Sequence, residues 1–307
     1  MEPKQKIYFI ANPISGSAVS KRRKNSLHAS LQDFLDPSKY EYVVKVTEYQ
    51  GHGIVLAKEA VASGYDIIVA VGGDGTINEI ARTLVNTDAV MAIIPAGSGN
   101  GLARHLRIPL AFKGAIEVIN AGHVLKMDTG TVGPLESETK SDVVFISSCG
   151  VGFDAYMSSK FEQLKNRGMW GYIKAIYREY FSYQAGTYEL KFNEQVIEEK
   201  ALLITVANSP QYGNNAVISP GAKLDNGLLD ICVVYPFPLY ALPGMVRRLF
   251  NNSIDKSKYV TIYRTKELVI TGSSAKVQFD GDFFELDKKV FIKVNPGSLN
   301  LIAPKNT

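Results

Sequence analysis

The sequence predicts an α/β chain in two parts: an N-terminal doubly wound parallel sheet and a C-terminal antiparallel β-sandwich. Three observations predict it. Apolar strand-like runs alternate with helix-like runs through the first third, the pattern of parallel β-α-β units. Past Lys126 short apolar strands separated by turn residues dominate. The Gly- and Ser-rich segments of the first part all follow predicted strands, the edge at which doubly wound sheets bind ligands. The domains are therefore read as 1–126 and 127–307, with the last strand free to return to the first domain.

The elements follow in order. A strand at 6–11 precedes a helix at 19–35 with Leu27, Leu31 and Phe34 on one face. A strand at 42–46 precedes a helix at 54–63 with Ile54, Ala57 and Val61 in register. The apolar run Ile67-Ile68-Val69-Ala70-Val71 is a buried strand, followed by a helix at 76–85 and a strand at 90–94. Later strands are predicted at 143–148, 188–192, 202–206, 228–234, 259–263, 268–271, 276–279 and 290–294. Asn193-Glu194, Asp225-Asn226-Gly227 and Asp280-Gly281 supply turns between them. Helical interruptions fall near 154–181 and 239–250, and there is no internal repeat.

With 307 residues, 46% apolar and 21% charged, the composition is that of an ordinary globular protein. Two cysteines, Cys149 and Cys232, imply no disulfide framework and fit a reducing cytoplasm. No apolar run approaches the roughly 18 residues that span a bilayer. The net charge of +4 is too mild to predict a nucleic-acid partner. The stretch 164–183 is the membrane candidate. Met169, Ile173, Ile176 and Tyr180 share a helical face beside Trp170, Tyr177 and Phe181, with Lys174 and Arg178 on another. That composition suits an interfacial helix or a lid over an acyl chain, against an ordinary packing helix. The expected location is cytoplasmic with peripheral membrane association.

Four segments at strand ends carry the chemistry: Asn12-Pro13-Ile14-Ser15-Gly16, residues 47–52, Gly72-Gly73-Asp74-Gly75-Thr76, and Pro95-Ala96-Gly97-Ser98-Gly99-Asn100. Each alone could be turn chemistry. Together on one sheet edge they offer backbone amides, hydroxyls and one acid to a nucleotide triphosphate. The chain has no Gly-x-x-x-x-Gly-Lys-Ser/Thr, and 97–101 lacks the glycine spacing of a dinucleotide fingerprint. His52 and His105 stand apart from any Cys or acid at ligand spacing, so no zinc site is predicted.

These motifs, in this order, resemble the diacylglycerol kinase catalytic-domain family of soluble bacterial lipid kinases and sphingosine kinases. The resemblance extends to Gly152-Phe153-Asp154-Ala155, to Pro220-Gly221-Ala222 with Asp225-Asn226-Gly227 and Leu229-Asp230, and to Asp280-Gly281-Asp282. It implies a two-domain lipid kinase that uses ATP and magnesium on a lipid hydroxyl at a membrane surface. Diacylglycerol is the first expected substrate and a sphingoid base the alternative. By residue match, Asn12, Ser15, Gly16, Thr47, Gly72, Gly73, Asp74, Gly75, Thr76, Asn78 and Ser98 would contact nucleotide. Asp74 would hold magnesium or take the hydroxyl proton, and Asp280 and Asp282 would supply the other acids, Asp282 at the position of the base. Asp154 matches a carboxylate that binds the lipid head group in sphingosine kinases. A second, structural magnesium would lie on Asn226 and the backbone carbonyls of Lys223 and Leu228.

Three departures stand out. Ser98 and Gly101 replace a common Thr and Asp, Asn226 replaces a common Asp and is a weaker ligand, and Asp282 replaces a Glu. The resemblance leaves a homodimer open. NAD kinase shares the loop that begins Gly72-Gly73-Asp74-Gly75-Thr76 but not the Asn12-Pro13, Gly152-Phe153-Asp154 or Pro220 motifs. A non-catalytic nucleotide- or lipid-binding regulator is opposed by the retention of Asp74, Asp280 and Asp282.

Overall fold

The computed structural model describes residues 3–14, 20–134, 142–161, 178–180, 182–213, 215–272, 276–285 and 289–305. Two compact units emerge. The first is Met1–Thr129 with Gly213–Asn215 and Pro296–Thr307, the second Gly130–Tyr212 with Ala216–Asn295.

The first unit contains β1 (Gln5–Ala11), α1 (Ser20–Phe34), β2 (Tyr40–Val46), α2 (His52–Ala62), β3 (Ile67–Gly72), α3 (Asp74–Leu84), β4 (Val90–Pro95), α4 (Gly101–His105) and α5 (Phe112–Ala121). Its strands are parallel in the order β2-β1-β3-β4. Ile7, Phe9, Ile68 and Val69 are fully buried, as strands covered by helices on both faces require.

Two helix faces differ from the periodicity reading. Leu35, just past the end of α1, rather than Phe34 joins Leu27 and Leu31 in the core, and Phe34 lies outside under the Lys113 ammonium. On α2 the buried stripe is Gly53, Leu56, Ala57 and Ala60, with Ile54 turned out. The reason is a close approach to α3: a Cβ on Gly53 would lie 2.6 Å from Glu79 Oε2. Small residues win that crossing, and the bulkier Ile54 is displaced from it.

The second unit contains β6 (Val143–Phe145), β7 (Ser148–Gly152), α6 (Phe153–Phe161), β8 (Gly186–Phe192), β9 (Gln195–Ala201), β10 (Leu203–Ala207) and β13 (Leu229–Val234). The short pair β11 (Gln211–Gly213) and β12 (Ala216–Val217) lies between the last two. A 3-10 turn at Leu239–Ala241 leads into α7 (Leu242–Phe250), then β14 (Val260–Thr265), β15 (Glu267–Gly272), β16 (Lys276–Phe279) and β17 (Asp282–Glu285). Two long strands pass from one unit into the other, β5 (Val124–Pro134) and β18 (Lys289–Ile302).

Strands β14-β13-β10-β7-β16-β17 form one antiparallel sheet. The first half of β18 pairs antiparallel with β15, followed by β8 and β9. Val151, Ile204 and Ile231 from the first layer share a core cluster with Leu190, Ile270 and Ile292 from the second, which makes the unit a β-sandwich.

The differences from the sequence reading have local causes. The strand expected at 143–148 breaks after Phe145, because the Ile146 and Ser147 amides turn to the Asp280 carboxylate. Strand β9 reads Gln-Val-Ile-Glu-Glu-Lys-Ala, too polar to register as a strand, and is tolerated at a sheet edge. Strand β18 continues past the expected end at 294, through Asn295-Pro296-Gly297-Ser298 to Ile302. Within the candidate membrane helix, Met169, Trp170, Ile173, Lys174, Ile176, Tyr177 and Phe181 lie outside the described residues. No helix among the described residues is long and apolar enough to cross a membrane.

Candidate functional site

The carboxyl ends of β1, β3 and β4 converge around one helix start. Strand β3 ends at Gly72, and α3 begins at Asp74 with Gly73 as an extended cap. The helix starts two residues before the expected start at Thr76, so Asp74 lies inside its first turn. A carboxylate there is favoured by the helix dipole. Its Oδ1 accepts the Gly101 amide at 2.7 Å, tying the β3 and β4 loops together. Asn12, just past β1, donates from Nδ2 to Thr76 Oγ1 at 2.9 Å and accepts the Ile14 amide on Oδ1.

The β4 loop is shaped by Asn100, in the left-handed region at φ 50. Its side chain closes a ring on Gly97, accepting that amide at 2.9 Å and donating to its carbonyl at 2.8 Å. Ser98 stands exposed at the tip of this ring. Thr47, at the end of β2, is buried and donates its amide to the Ala11 carbonyl. Thr76 and Asn78 are also buried, whereas Gly75 is exposed. Asn12, Gly72, Gly73, Asp74, Gly75, Thr76 and Ser98 are thus carried by three adjoining loops. Ser15 and Gly16 lie outside the described residues.

In the second unit Asp280 and Gly281 form a two-residue hairpin between β16 and β17, both at positive φ (50 and 93). That is the geometry Asp-Gly favours between twisted strands. The Asp280 carboxylate accepts the Ile146, Ser147 and Ser148 amides at 2.7–3.2 Å. It therefore anchors the chain between β6 and β7. Asp282, the next residue after the turn, is exposed.

Asp154 is at the second position of α6, yet it does more than cap a helix. Its Oδ2 accepts from Gln278 Nε2 at 3.0 Å, Thr205 Oγ1 at 3.2 Å and the Tyr212 hydroxyl at 3.3 Å. Burial pushes this carboxyl above the usual range, and the bonds from Thr205, Gln278 and Tyr212 offset that only in part. Gly150 leaves it room, since a Cβ there would lie 3.1 Å from Oδ2.

Asn226 Oδ1 accepts the Leu228 amide at 3.0 Å, closing its loop as an Asx turn between Lys223 and Leu229. Nearby, buried Asp230 accepts from Ser219 Oγ at 2.6 Å and from Arg264 Nε at 2.9 Å. Among the described residues no three His, Cys, Asp or Glu side chains are grouped to hold a metal.

Residues 6–132 match the diacylglycerol kinase catalytic domain, and residues 147–303 match the YegS C-terminal NAD kinase beta sandwich-like domain. The chain belongs to the diacylglycerol kinase catalytic-domain family. It is accordingly a lipid kinase. A diacylglycerol kinase of Mycobacterium tuberculosis is 24% identical, covering 98% of this chain and 96% of its own. A Pseudomonas aeruginosa protein named "Probable lipid kinase YegS-like" is 26% identical over 86% and 85%. The crystal structure of a diacylglycerol kinase from Bacillus anthracis matches the fold at a TM-score of 0.73, with 24% identity and 98% of each chain covered.

The residues that hold the loops in place leave little mark in the sequence motifs. Glu79, in the second turn of α3, is one of them. Its Oε1 accepts the Gly51 amide at 3.0 Å, locking the β2–α2 turn to α3. Thr205, Tyr212 and Gln278 come from three distant segments, so no local spacing could have joined them to Asp154. Arg264 is equally remote from Asp230. A hint lay in Gly221: a Cβ there would lie 2.4 Å from Arg264 Nη2, so this glycine leaves room for a guanidinium.

Proposed function

We propose that this lipid kinase transfers the γ-phosphate of ATP to the free hydroxyl of diacylglycerol. The observation that carries the reading is the Asp74 carboxylate at the start of α3, held by the Gly101 amide and flanked by Gly73 and Gly75. Phosphoryl transfer needs positioned phosphates and neutralised charge more than covalent help, and such a loop supplies the positioning. Asn12, Thr47, Thr76, Asn78 and Ser98 would complete the nucleotide contacts, and by residue match Ser15 and Gly16 would join them.

Asp282 would take the proton of the lipid hydroxyl as its oxygen bonds to phosphorus and the bond to the β-phosphate oxygen breaks. Asp280 would position the turn that carries it, because its own oxygens are engaged by three amides.

Magnesium fits as an ion that arrives with the nucleotide. One carboxylate plus phosphate oxygens is its ordinary mode of binding, and Asp74 would be that carboxylate, neutralising charge on the phosphates. Lys223, Asn226 and Leu228 do not fit a second ion. They supply no charged oxygen, and the Asn226 oxygen already accepts the Leu228 amide. We place no magnesium there.

A second reading, a sphingoid-base kinase, is favoured by the enclosed Asp154 carboxyl, which suits an ammonium better than a glycerol hydroxyl. The lipid would be taken from a membrane surface. The deciding experiment is radiolabelled phosphate transfer from ATP to diacylglycerol, ceramide, a sphingoid base, undecaprenol and NAD in parallel. Label on diacylglycerol above all others supports the first reading, label on the sphingoid base the second, and label on NAD alone refutes both.

A further inference from the structure

We propose that the outward stripe of helix α7, with the turn before it, is the surface by which this kinase meets an anionic lipid bilayer. The inference rests on the reading of the chain as acting on a bilayer-resident lipid.

Leu242 and Met245 bury the inner side of α7 in a core cluster with Phe153, Met157 and Phe237, which fixes the opposite side outward. That side carries Tyr240, Pro243, Arg247 and Phe250, spaced three, four and three residues apart along one helical stripe. Tyr240 is 84% exposed and Phe250 37%. A solvent-facing stripe ordinarily carries charged and polar residues. Here it carries two aromatic rings, a proline and one arginine.

The charge around it is one-sided. From Pro236 to Val246 no residue is charged, and none of the helix's first turn is acidic. Immediately beyond come Arg247, Arg248, Lys256 and Lys258 against the single acid Asp255, four cations to one anion. An exposed amphipathic Tyr and an apolar Phe beside cations are the composition that settles at the headgroup level of anionic bilayers. Charge complementarity therefore selects a lipid surface as the occupant.

The placement within the second unit is also apt. Phe153, in the cluster that anchors α7, immediately precedes Asp154. Its ring meets the rings of Tyr180 and Tyr183, and the Tyr180 hydroxyl donates to the Phe237 carbonyl at the foot of the Leu239–Ala241 turn. The exposed stripe and the acid proposed to meet the lipid head group are thus carried by one packed block.

The test compares the wild type with Tyr240→Ser/Phe250→Ser and, separately, Arg247→Glu. Sedimentation with phosphatidylglycerol vesicles and with phosphatidylcholine vesicles is measured at low and high salt. Turnover is measured on a water-soluble short-chain diacylglycerol, with melting temperature as the control for folding. The wild type should prefer phosphatidylglycerol, and salt should weaken that binding. Each variant should lose about ten-fold or more in vesicle affinity, a change of about 1.4 kcal/mol, while keeping soluble turnover.

Unchanged vesicle affinity in both variants overturns the proposal. So does a wild type indifferent to lipid charge, or a solution dimer that the same substitutions dissolve. If the double variant misfolds, the exposed Arg247→Glu change decides alone. A wild type that phosphorylates no lipid would refute the functional reading, while the sedimentation arms would still judge the surface.

Discussion

Gly97 and Gly73 pass each other backbone to backbone: a Cβ on Gly97 would lie 2.5 Å from the Gly73 Cα. The β3 and β4 loops can nest only because neither residue has a side chain. Gly75, two residues on, has nothing within 4 Å of the position its Cβ would take. Gly97→Ala should therefore destabilise the fold by about 1–3 kcal/mol, the ordinary range for overpacking. Gly75→Ala should leave stability unchanged or slightly raise it, because Ala favours the helix. Denaturant titration of the two variants checks both, and equal stabilities would contradict the nested-loop geometry.

That contrast makes Gly75 the clean probe of nucleotide binding. A change at Gly73 would disturb Gly97, so a lost affinity there would have two explanations. At Gly75 a larger side chain enters open space in the protein and would meet only a bound phosphate. Gly75→Val should fold normally and bind ATP at least about ten-fold more weakly, a loss of about 1.4 kcal/mol. Calorimetric titration measures it, and an unchanged dissociation constant would remove the nucleotide from this loop.

Much of this site was legible because its pieces are local. The Gly72-to-Thr76 loop, the Asn100 ring and the Asp280-Gly281 hairpin are each written within five or six consecutive residues, where strand, turn and helix start leave direct marks. What was not legible is either remote or masked by polarity. Asp154 meets Thr205, Tyr212 and Gln278 only after three segments fold together. The buried face of α2 depended on the close approach of Glu79, which no periodicity encodes. Strand β9 escaped because an edge strand need not be apolar.

Asp154 also makes stability depend on pH. Its folded-state pKa is raised, mainly by burial. Between the ordinary Asp value and that raised value the folded protein holds a proton that the unfolded chain has released. Stability therefore falls as pH rises through this window, and the penalty is complete above it. Asp154→Asn removes the titration, so its melting temperature should vary less with pH across the window. At neutral pH the variant should be at least as stable as the wild type. A variant that loses stability in parallel with the wild type as pH rises would assign the effect to another group.

The same substitution separates the two substrate readings. A charged or strongly polar partner for a sphingoid amine is worth roughly 1.5–3 kcal/mol, more than a bond to a neutral hydroxyl. Asp154→Asn should lower kcat/KM for a sphingoid base by about ten-fold or more and for diacylglycerol by less. Equal losses on both lipids would give Asp154 a role in architecture or transfer instead of head-group choice.

The proposed kinase chemistry requires Asp74 to serve the transfer of phosphate rather than the shape of its loop. Asn at this position keeps a carbonyl oxygen able to accept the Gly101 amide, so the loop should survive the change. The most direct measurement is therefore the turnover of Asp74→Asn with ATP and diacylglycerol, alongside its melting temperature. The expected result is a melting temperature within a degree or so of wild type and a kcat at least about 10²-fold lower, the usual cost of losing a base or charge-neutralising group. Turnover within a few-fold of wild type in a normally folded variant would contradict it.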